Sequence, residues 1–155
     1  MENLYDTDFY TWSLEQAELI RQGRFDELDL DNLIEEVEDM GKARHRALES
    51  CLEQLLMHLL KWQMQASKDD FYDMKQWFRS WLVSMGKQRD AVHKELKKNP
   101  GLHNKLDEIF LDAYDYARKL AAREMQCKPD AFPPECPWTY EQVMTEDWLP
   151  EADHE

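Results

Sequence analysis

Apolar side chains recur every three or four residues along much of the chain, which is the spacing of amphipathic α-helices. The first such segment predicts a helix from about residue 8 to residue 22, with Asp8 among the N-cap candidates and Gly23 just past its C-terminus. Its apolar stripe consists of Tyr10, Leu14, Ala17 and Ile20. A short connector over residues 24–28 leads to the next helix.

The second segment, residues 30–65, carries two successive apolar stripes. The first stripe consists of Leu30, Leu33, Ile34 and Val37. The second consists of Leu48, Cys51, Leu52, Leu55, Leu59 and Trp62. An unbroken helix over this range would be about 54 Å long at 1.5 Å per residue. Because glycine costs about 1 kcal/mol in a helix interior, the pattern favours a bend near Gly41 over one straight helix.

Two further helices are separated by a strong stop signal. The third is predicted from about residue 70 to residue 98, where Asn99-Pro100-Gly101 ends it. Its apolar positions at helical spacing, which we call its seam, are predicted to face the core. They are Met74, Phe78, Trp81, Met85, Val92 and Leu96. The fourth is predicted from about residue 102 to residue 126. Its inward positions are Leu102, Leu106, Ile109, Ala113, Ala117, Leu120 and Ala121.

The residues from 128 onward no longer show the apolar spacing of a long helix. Four prolines between residues 129 and 137 cannot continue a helix. Thr139 and Gln142 have the spacing of a capping box, which predicts one short helix. The aromatic anchors predicted for this tail are Phe132, Trp138 and Trp148.

These elements define the predicted fold class. Only 4 glycines and 6 prolines occur in 155 residues, and the hydrophobic share is 43%, which favours long helices around a sizeable core. Short connections favour antiparallel neighbours. We therefore predict an all-α fold, an antiparallel helical bundle of about four main helices with a short extra helix in a proline- and aromatic-rich C-terminal tail. Trp62 and Trp81 lie on helix seams and are predicted to be core residues.

Charge is unevenly distributed along the chain. Residues 1–40 carry 13 acidic and 2 basic residues, residues 41–127 carry 12 acidic and 16 basic, and residues 128–155 carry 8 acidic and 1 basic. This distribution predicts one domain over residues 1–155, in which the acidic N-terminal segment and the acidic tail pack on the central bundle. Three solvated faces of different charge are the alternative.

The net charge, the cysteine pattern and the apolar runs argue against several classes of protein. A formal net charge of −14 argues against general binding to nucleic-acid phosphates. Three cysteines without a Cys-x-x-Cys pair argue against a disulfide framework. The acidic N-terminal sequence lacks the features of a signal peptide, and charged residues interrupt the longest apolar run. We therefore expect a cytoplasmic protein that does not associate with membranes.

A set of short motifs occurs in order along nearly the whole chain. They are Asp8-Phe9-Tyr10-x-Trp12, Asp29-Leu30-Asp31-Asn32-Leu33-Ile34-Glu35-Glu36-Val37-Glu38-x-x-Gly41, His58-Leu59-Leu60-Lys61-Trp62, Ser80-Trp81 with Gln88-Arg89, Pro100-x-Leu102, Tyr114-x-x-Ala117-Arg118, and Phe132-Pro133-x-x-Cys136-Pro137. In these motifs the sequence resembles the bacterial family catalogued as domain of unknown function 29. The resemblance implies a helical fold and a bacterial source. It implies no activity and assigns no catalytic residue.

The spacing of glutamate and histidine residues gives little support to a metal site. Di-iron bundles use Glu-x-x-His pairs on facing helices, and none of the predicted helices contains such a pair. His58 lies on an apolar seam, where a hydrogen-bonded core histidine is the commoner arrangement and a ligand the rarer one. Cys136, between prolines, is the thiol predicted to be the most reactive. We expect no bound metal and no cofactor.

A polar interruption of the third seam is the most informative feature. The seam that reaches Met85 would continue at Gln88, and hairpin register brings this position near Arg44 and Asp112. The residues predicted to form a polar layer are Arg44, Gln88, Arg89 and Asp112. A buried layer that fixes helix register is the favoured interpretation, and a ligand pocket is the second.

Two functional hypotheses from different classes remain. The first is a helical module that binds another protein or itself through exposed aromatic residues, since 6 tryptophans and 6 tyrosines exceed what the core needs. The second is a small-molecule binder or enzyme that uses the polar layer around Gln88 and Arg89. A basic patch over residues 87–98 fits an acidic protein segment better than nucleic acid. No catalytic motif is recognisable, which favours a protein that is not an enzyme.

Overall fold

The computed structural model describes residues 3–68 and 78–152. Its α-helices in these ranges are α1 (Leu4–Thr7), α2 (Phe9–Arg21), α3 (Leu30–Ala66), α4 (Arg79–Lys98), α5 (Leu106–Glu124) and α6 (Tyr140–Met144). Short 3₁₀ turns occupy Phe25–Glu27, Pro100–Lys105 and Pro129–Ala131. No strand occurs in the described part of the chain, so the predicted all-α class with four long helices is confirmed.

The chain divides into two compact units, residues 1–43 and residues 44–155, which we call the N-terminal unit and the C-terminal unit. The boundary falls within α3, which is α-helical without interruption from Leu30 to Ala66. Gly41 therefore does not end this helix. The sequence-based packing of residues 1–40 on the central bundle stays a prediction.

Polar contacts hold the N-terminal unit together. The Asp8 side chain caps α2 by accepting from the Thr11 amide at 3.1 Å, and Gly23 adopts a left-handed φ of 71° just beyond the helix. Trp12 is buried, and its Nε1 donates to Asp29 Oδ2 at 3.0 Å. The Asp29 amide in turn donates to Gln16 Oε1 at 2.8 Å. The predicted limits and caps of this first long helix are therefore confirmed.

The core of the C-terminal unit lies between the second half of α3, α4, α5 and the tail. Trp62 and Tyr114 are the largest of its fully buried side chains. Trp81, predicted to be a core residue, is only half-buried at the edge of this core, where its ring stacks 4.3 Å from that of Phe78. The predicted start of the third helix near residue 70, and Met74 on its seam, lie outside the described residues.

The fourth predicted helix begins later than the sequence pattern indicates. Pro100 and the five residues after it form a 3₁₀ turn, and α5 starts only at Leu106. Proline fixes its own φ and lacks an amide hydrogen, so it suits the first residues of a turn. The inward positions Ile109, Ala113 and Ala117 are fully buried, as predicted.

The tail packs onto the bundle through both apolar and polar contacts. Phe132 and Trp138 are buried in the same core cluster as α3, α4 and α5. The hydroxyl of Tyr114 donates to Pro133 O at 2.6 Å. The Thr139 side chain accepts from the Gln142 amide, and the Gln142 side chain accepts from the Thr139 amide, which confirms the predicted capping box of α6.

Candidate functional site

The structure places the four residues of the predicted polar layer in different surroundings. Arg89 is buried, Gln88 is half-buried, and Arg44 and Asp112 are exposed. Arg44 forms an ion pair with the half-buried Glu95, at 3.8 Å from Nη1 to Oε1. A buried layer of all four residues is therefore not formed, and that part of the sequence interpretation is corrected.

The physical reason is the periodicity of α4. Its buried residues are Met85, Arg89, Val92 and Leu96, at spacings of four, three and four. Neighbouring residues on a helix point about 100° apart, so the seam can include Arg89 or Gln88 but not both. Arginine has a long apolar stem that packs in a core while its guanidinium reaches a polar partner. The seam therefore continues through Arg89.

Arg89 connects α4 to the tail. It is 6% exposed, its Nε donates to Val143 O at 2.9 Å, and its Nη2 donates to Trp148 O at 2.7 Å. Burial lowers the pKa of Arg89, while the carboxylates of Asp147 and Glu146 act in the opposite direction. Nη1 has no hydrogen-bond partner in the described part of the chain, and it is not sealed from solvent.

A groove of about 380 Å³ opens beside this arginine, and we call it the Arg89 groove. The side provided by α4 consists of Leu82, Met85, Gly86, Arg89, Asp90 and His93. The side provided by the tail consists of Met144, Glu146, Asp147 and Leu149. Both sides belong to the C-terminal unit.

Two backbone features shape the groove. Gly86 lies in the interior of α4, where glycine costs about 1 kcal/mol relative to alanine. A Cβ at this position would meet no atom within 4 Å, so close packing does not require glycine. Asp147 adopts a left-handed φ of 60°, which costs a non-glycine residue about 1 kcal/mol or more. The Trp148 amide donates to Thr145 O at 3.1 Å, which closes this turn.

The N-terminal unit presents a second kind of surface. Nine of the twelve large hydrophobic side chains that the described chain exposes lie in this unit, each with 48–73% of its surface accessible. We call the set the N-terminal apolar face, and it consists of Phe9, Tyr10, Leu14, Ile20, Phe25, Leu30, Ile34, Val37 and Met40. Within α3, Leu30, Ile34 and Val37 form one stripe at helical spacing. A stripe of this kind is normally buried in a monomer.

The seam histidine, His58, is half-buried. Its Nδ1 and the Nε1 of Trp62 are sealed from solvent and have no hydrogen-bond partner among residues 3–68 and 78–152. Burial lowers the pKa of His58, and the charge of Lys61 lowers it further. Lys61 is itself buried, pairs with Glu124, and lies 4.4 Å above the centre of the Trp81 ring.

The three cysteines are free thiols in this structure. Cys136, predicted to be the most reactive, donates through Sγ to Trp138 O at 3.4 Å. Burial raises the pKa of Cys136, and burial also raises that of Cys51. A raised pKa leaves less of the nucleophilic thiolate at neutral pH, so the surroundings of Cys136 oppose the predicted reactivity.

Metal-ligating clusters and membrane spans are both absent from residues 3–68 and 78–152. Within these ranges no group of three or more histidine, cysteine, aspartate or glutamate side chains is placed to hold a metal ion. No helix in the same part of the chain is both long enough and apolar enough to cross a membrane.

A carboxylate pair on α3 gives the protein a pH-dependent stability. Burial, reinforced by the negative charge of Glu49 one turn away, raises the pKa of Glu53 to about 7. A raised carboxyl pKa means that ionisation opposes folding, so the contribution of Glu53 to stability is most favourable below its ordinary pKa of 4.5 and becomes less favourable as pH rises toward 7. Because Glu53 is partly exposed, we expect this decrease to be no more than about 1 kcal/mol.

The substitution Glu53→Gln tests this pH dependence. We expect it to stabilise the protein at pH 8 and to have little effect at pH 4, because the amide resembles the protonated carboxyl and cannot ionise. Urea denaturation at both pH values measures the difference. Glu38→Gln, at an exposed position on the same helix, is the matched control. Equal effects of the two substitutions at pH 8 would show that general charge reduction is the cause.

The fold and its surfaces define an all-α protein of two compact helical units. The sequence model of the family described as domain of unknown function DUF29 matches residues 4–149, which is nearly the whole chain. The chain therefore belongs to this family, and the resemblance predicted from its motifs is confirmed. No curated protein and no solved structure matches the chain.

Proposed function

We propose that the protein is a protein-interaction module and that the N-terminal apolar face is its binding surface. The observation that carries the proposal is the concentration of exposed apolar side chains in residues 9–40. Many exposed apolar side chains in a short segment are typical of interfaces, because a monomer gains nothing by exposing them. The polar contacts of Trp12 and Gln16 fix the start of α3 relative to α2, so the face is held in place before a partner binds.

The charge around this face indicates the chemistry of the partner. Residues 1–40 carry 13 acidic against 2 basic residues. In α3, Asp31, Glu35 and Glu38 lie along the helix beside the apolar stripe. We therefore propose a partner that presents a basic, amphipathic segment. Two copies of the same acidic face would repel each other, so self-association through this face is the less favoured alternative.

The double substitution Ile34→Glu and Val37→Glu tests the proposal. We expect a protein captured by the wild-type chain, once purified, to bind this variant at least about tenfold more weakly, because charge replaces central apolar contacts. Isothermal titration calorimetry at low and high salt measures the affinity. The matched control is the double substitution Leu111→Glu and Tyr116→Glu at exposed apolar positions of α5.

Each outcome of this experiment has a defined meaning. A captured protein that binds the face variant and the wild type equally well contradicts the proposal. So does a captured protein without a basic segment, whose affinity would not decrease with salt. Sedimentation velocity of the wild-type chain alone separates self-association from binding to another protein. A dimer that the face variant abolishes would replace the proposed partner with a second copy of the chain.

The cytoplasmic location and bacterial source expected from the sequence are part of this proposal. Three free thiols are typical of a reducing compartment and support that location. The predicted use of Gln88 and Arg89 by a small-molecule binder is also still a proposal. The Arg89 groove supports that alternative, although Gln88 is not among the residues that line it.

A further inference from the structure

We propose that the Arg89 groove binds a small zwitterion of the amino-acid type with an apolar side chain. The site lies wholly in the C-terminal unit and uses no residue of the N-terminal apolar face. The proposed ligand of the Arg89 groove and the proposed partner of the N-terminal apolar face can therefore be tested independently. A groove of about 380 Å³ is at the small end of ligand-binding pockets, which suits a single amino acid rather than a nucleotide cofactor.

Arg89 provides the position for a carboxylate. It is 6% exposed and is held rigidly, because its Nε and Nη2 already donate to Val143 O and Trp148 O. Its Nη1 has no hydrogen-bond partner in the described residues and keeps access to solvent. An arginine fixed in this way binds a carboxylate without first losing side-chain freedom. The N–H groups of Nη1 are the first contact of the proposed site.

The other charges of the groove require a cationic group on the same ligand. Asp90, Glu146 and Asp147 line the groove beside the single positive charge of Arg89. A simple anion would be repelled by three carboxylates, and a simple cation would leave the Nη1 donor of Arg89 unused. A zwitterion satisfies both groups, with its carboxylate at Arg89 and its ammonium group among the carboxylates.

The apolar part of the groove accounts for the side chain of the ligand. Met85 and Leu82 from α4 face Met144 and Leu149 from the tail across the same groove. Methionine side chains adapt to ligands of different shape, including aromatic rings. Gly86 leaves the wall open between them, although nothing within 4 Å of a Cβ there requires glycine. The space beside Gly86 is therefore available to the side chain of a ligand.

The proposed specificity is tested with three related probes and the full chain. The probes are L-phenylalanine, phenethylamine, which lacks the carboxylate, and 3-phenylpropanoate, which lacks the ammonium group. We expect calorimetry to show saturable binding of phenylalanine and at least about tenfold weaker binding of each analogue. Equal binding of phenethylamine would show that Arg89 makes no contact. Absence of phenylalanine binding would overturn the proposal.

Two substitutions connect the binding to the groove. Asp147→Asn removes one carboxylate while keeping a residue that tolerates the left-handed backbone, and Gly86→Leu fills the open wall. We expect both to weaken phenylalanine binding at least about tenfold. The matched controls are Asp112→Asn, an exposed carboxylate on α5, and Gly41→Leu, a helical glycine outside the groove.

The controls distinguish the groove from other binding positions. Unchanged binding by both groove variants would place the ligand elsewhere and overturn the proposal. Circular dichroism of each variant establishes that its helices are intact. Neither result depends on the partner affinity of the Ile34→Glu and Val37→Glu variant, so failure of one proposal leaves the other testable.

Discussion

The substitution Arg89→Met is expected to lower the free energy of unfolding by about 2–4 kcal/mol. A hydrogen bond from a charged donor contributes about 1.5–3 kcal/mol, and Arg89 makes two of them to backbone oxygens of the tail. Relief from burying a guanidinium offsets part of this loss, because desolvation of a charge opposes folding. Two backbone carbonyl groups would remain without their donors, so the net effect is destabilising.

Urea denaturation of Arg89→Met and of the control Lys87→Met measures this difference. Lys87 lies on the exposed side of the same helix, so its substitution should change stability by no more than about 0.5 kcal/mol. The variant Arg89→Lys keeps the charge but cannot reproduce the fork of two donors, and we expect an intermediate loss. If Arg89→Met were as stable as the wild type, the aromatic anchors alone would hold the tail.

The substitutions Trp62→Ala and Trp81→Ala are expected to differ clearly in their effects. Trp62 is fully buried, and truncating a tryptophan in a core costs about 3–5 kcal/mol. Trp81 is half-buried, so its truncation should cost about 1–2.5 kcal/mol, including the contact of its ring with the Lys61 ammonium group. Equilibrium unfolding of the two variants side by side checks the difference. Equal losses would show that Trp81 belongs to the core, as its position on the seam predicts.

The helical fold was predictable because its signals are local. Apolar spacing, the Asp8 cap and the Thr139–Gln142 capping box depend on residues a few positions apart, and the structure contains each of these features. The burial of Ile109 and Ala113 follows from the same periodicity. Such patterns fix which side of a helix faces the core, so the class of fold follows from them.

The site was less predictable because it depends on contacts distant in sequence. The sequence pattern placed Gln88 on the seam of α4, because this position lies three residues after Met85. The structure places Arg89 there because Val143 O and Trp148 O, from a segment more than fifty residues away, accept its hydrogen bonds. No pattern among neighbouring residues predicts those two acceptors. The left-handed turn at Asp147 could not be predicted from the sequence either, because aspartate does not require that conformation.

The connection between Arg89 and the tail also affects the order of events during synthesis. The two carbonyl groups that accept from Arg89 lie 54 and 59 residues after it in the chain. At a translation rate of about 5–20 residues per second, they leave the ribosome about 3–12 s later than the arginine. During that interval α4 carries a charge on its apolar side without its eventual partners. The hydrogen bonds of Arg89 therefore cannot form until the tail has been synthesised, and we expect its docking on the bundle to be a late step of folding.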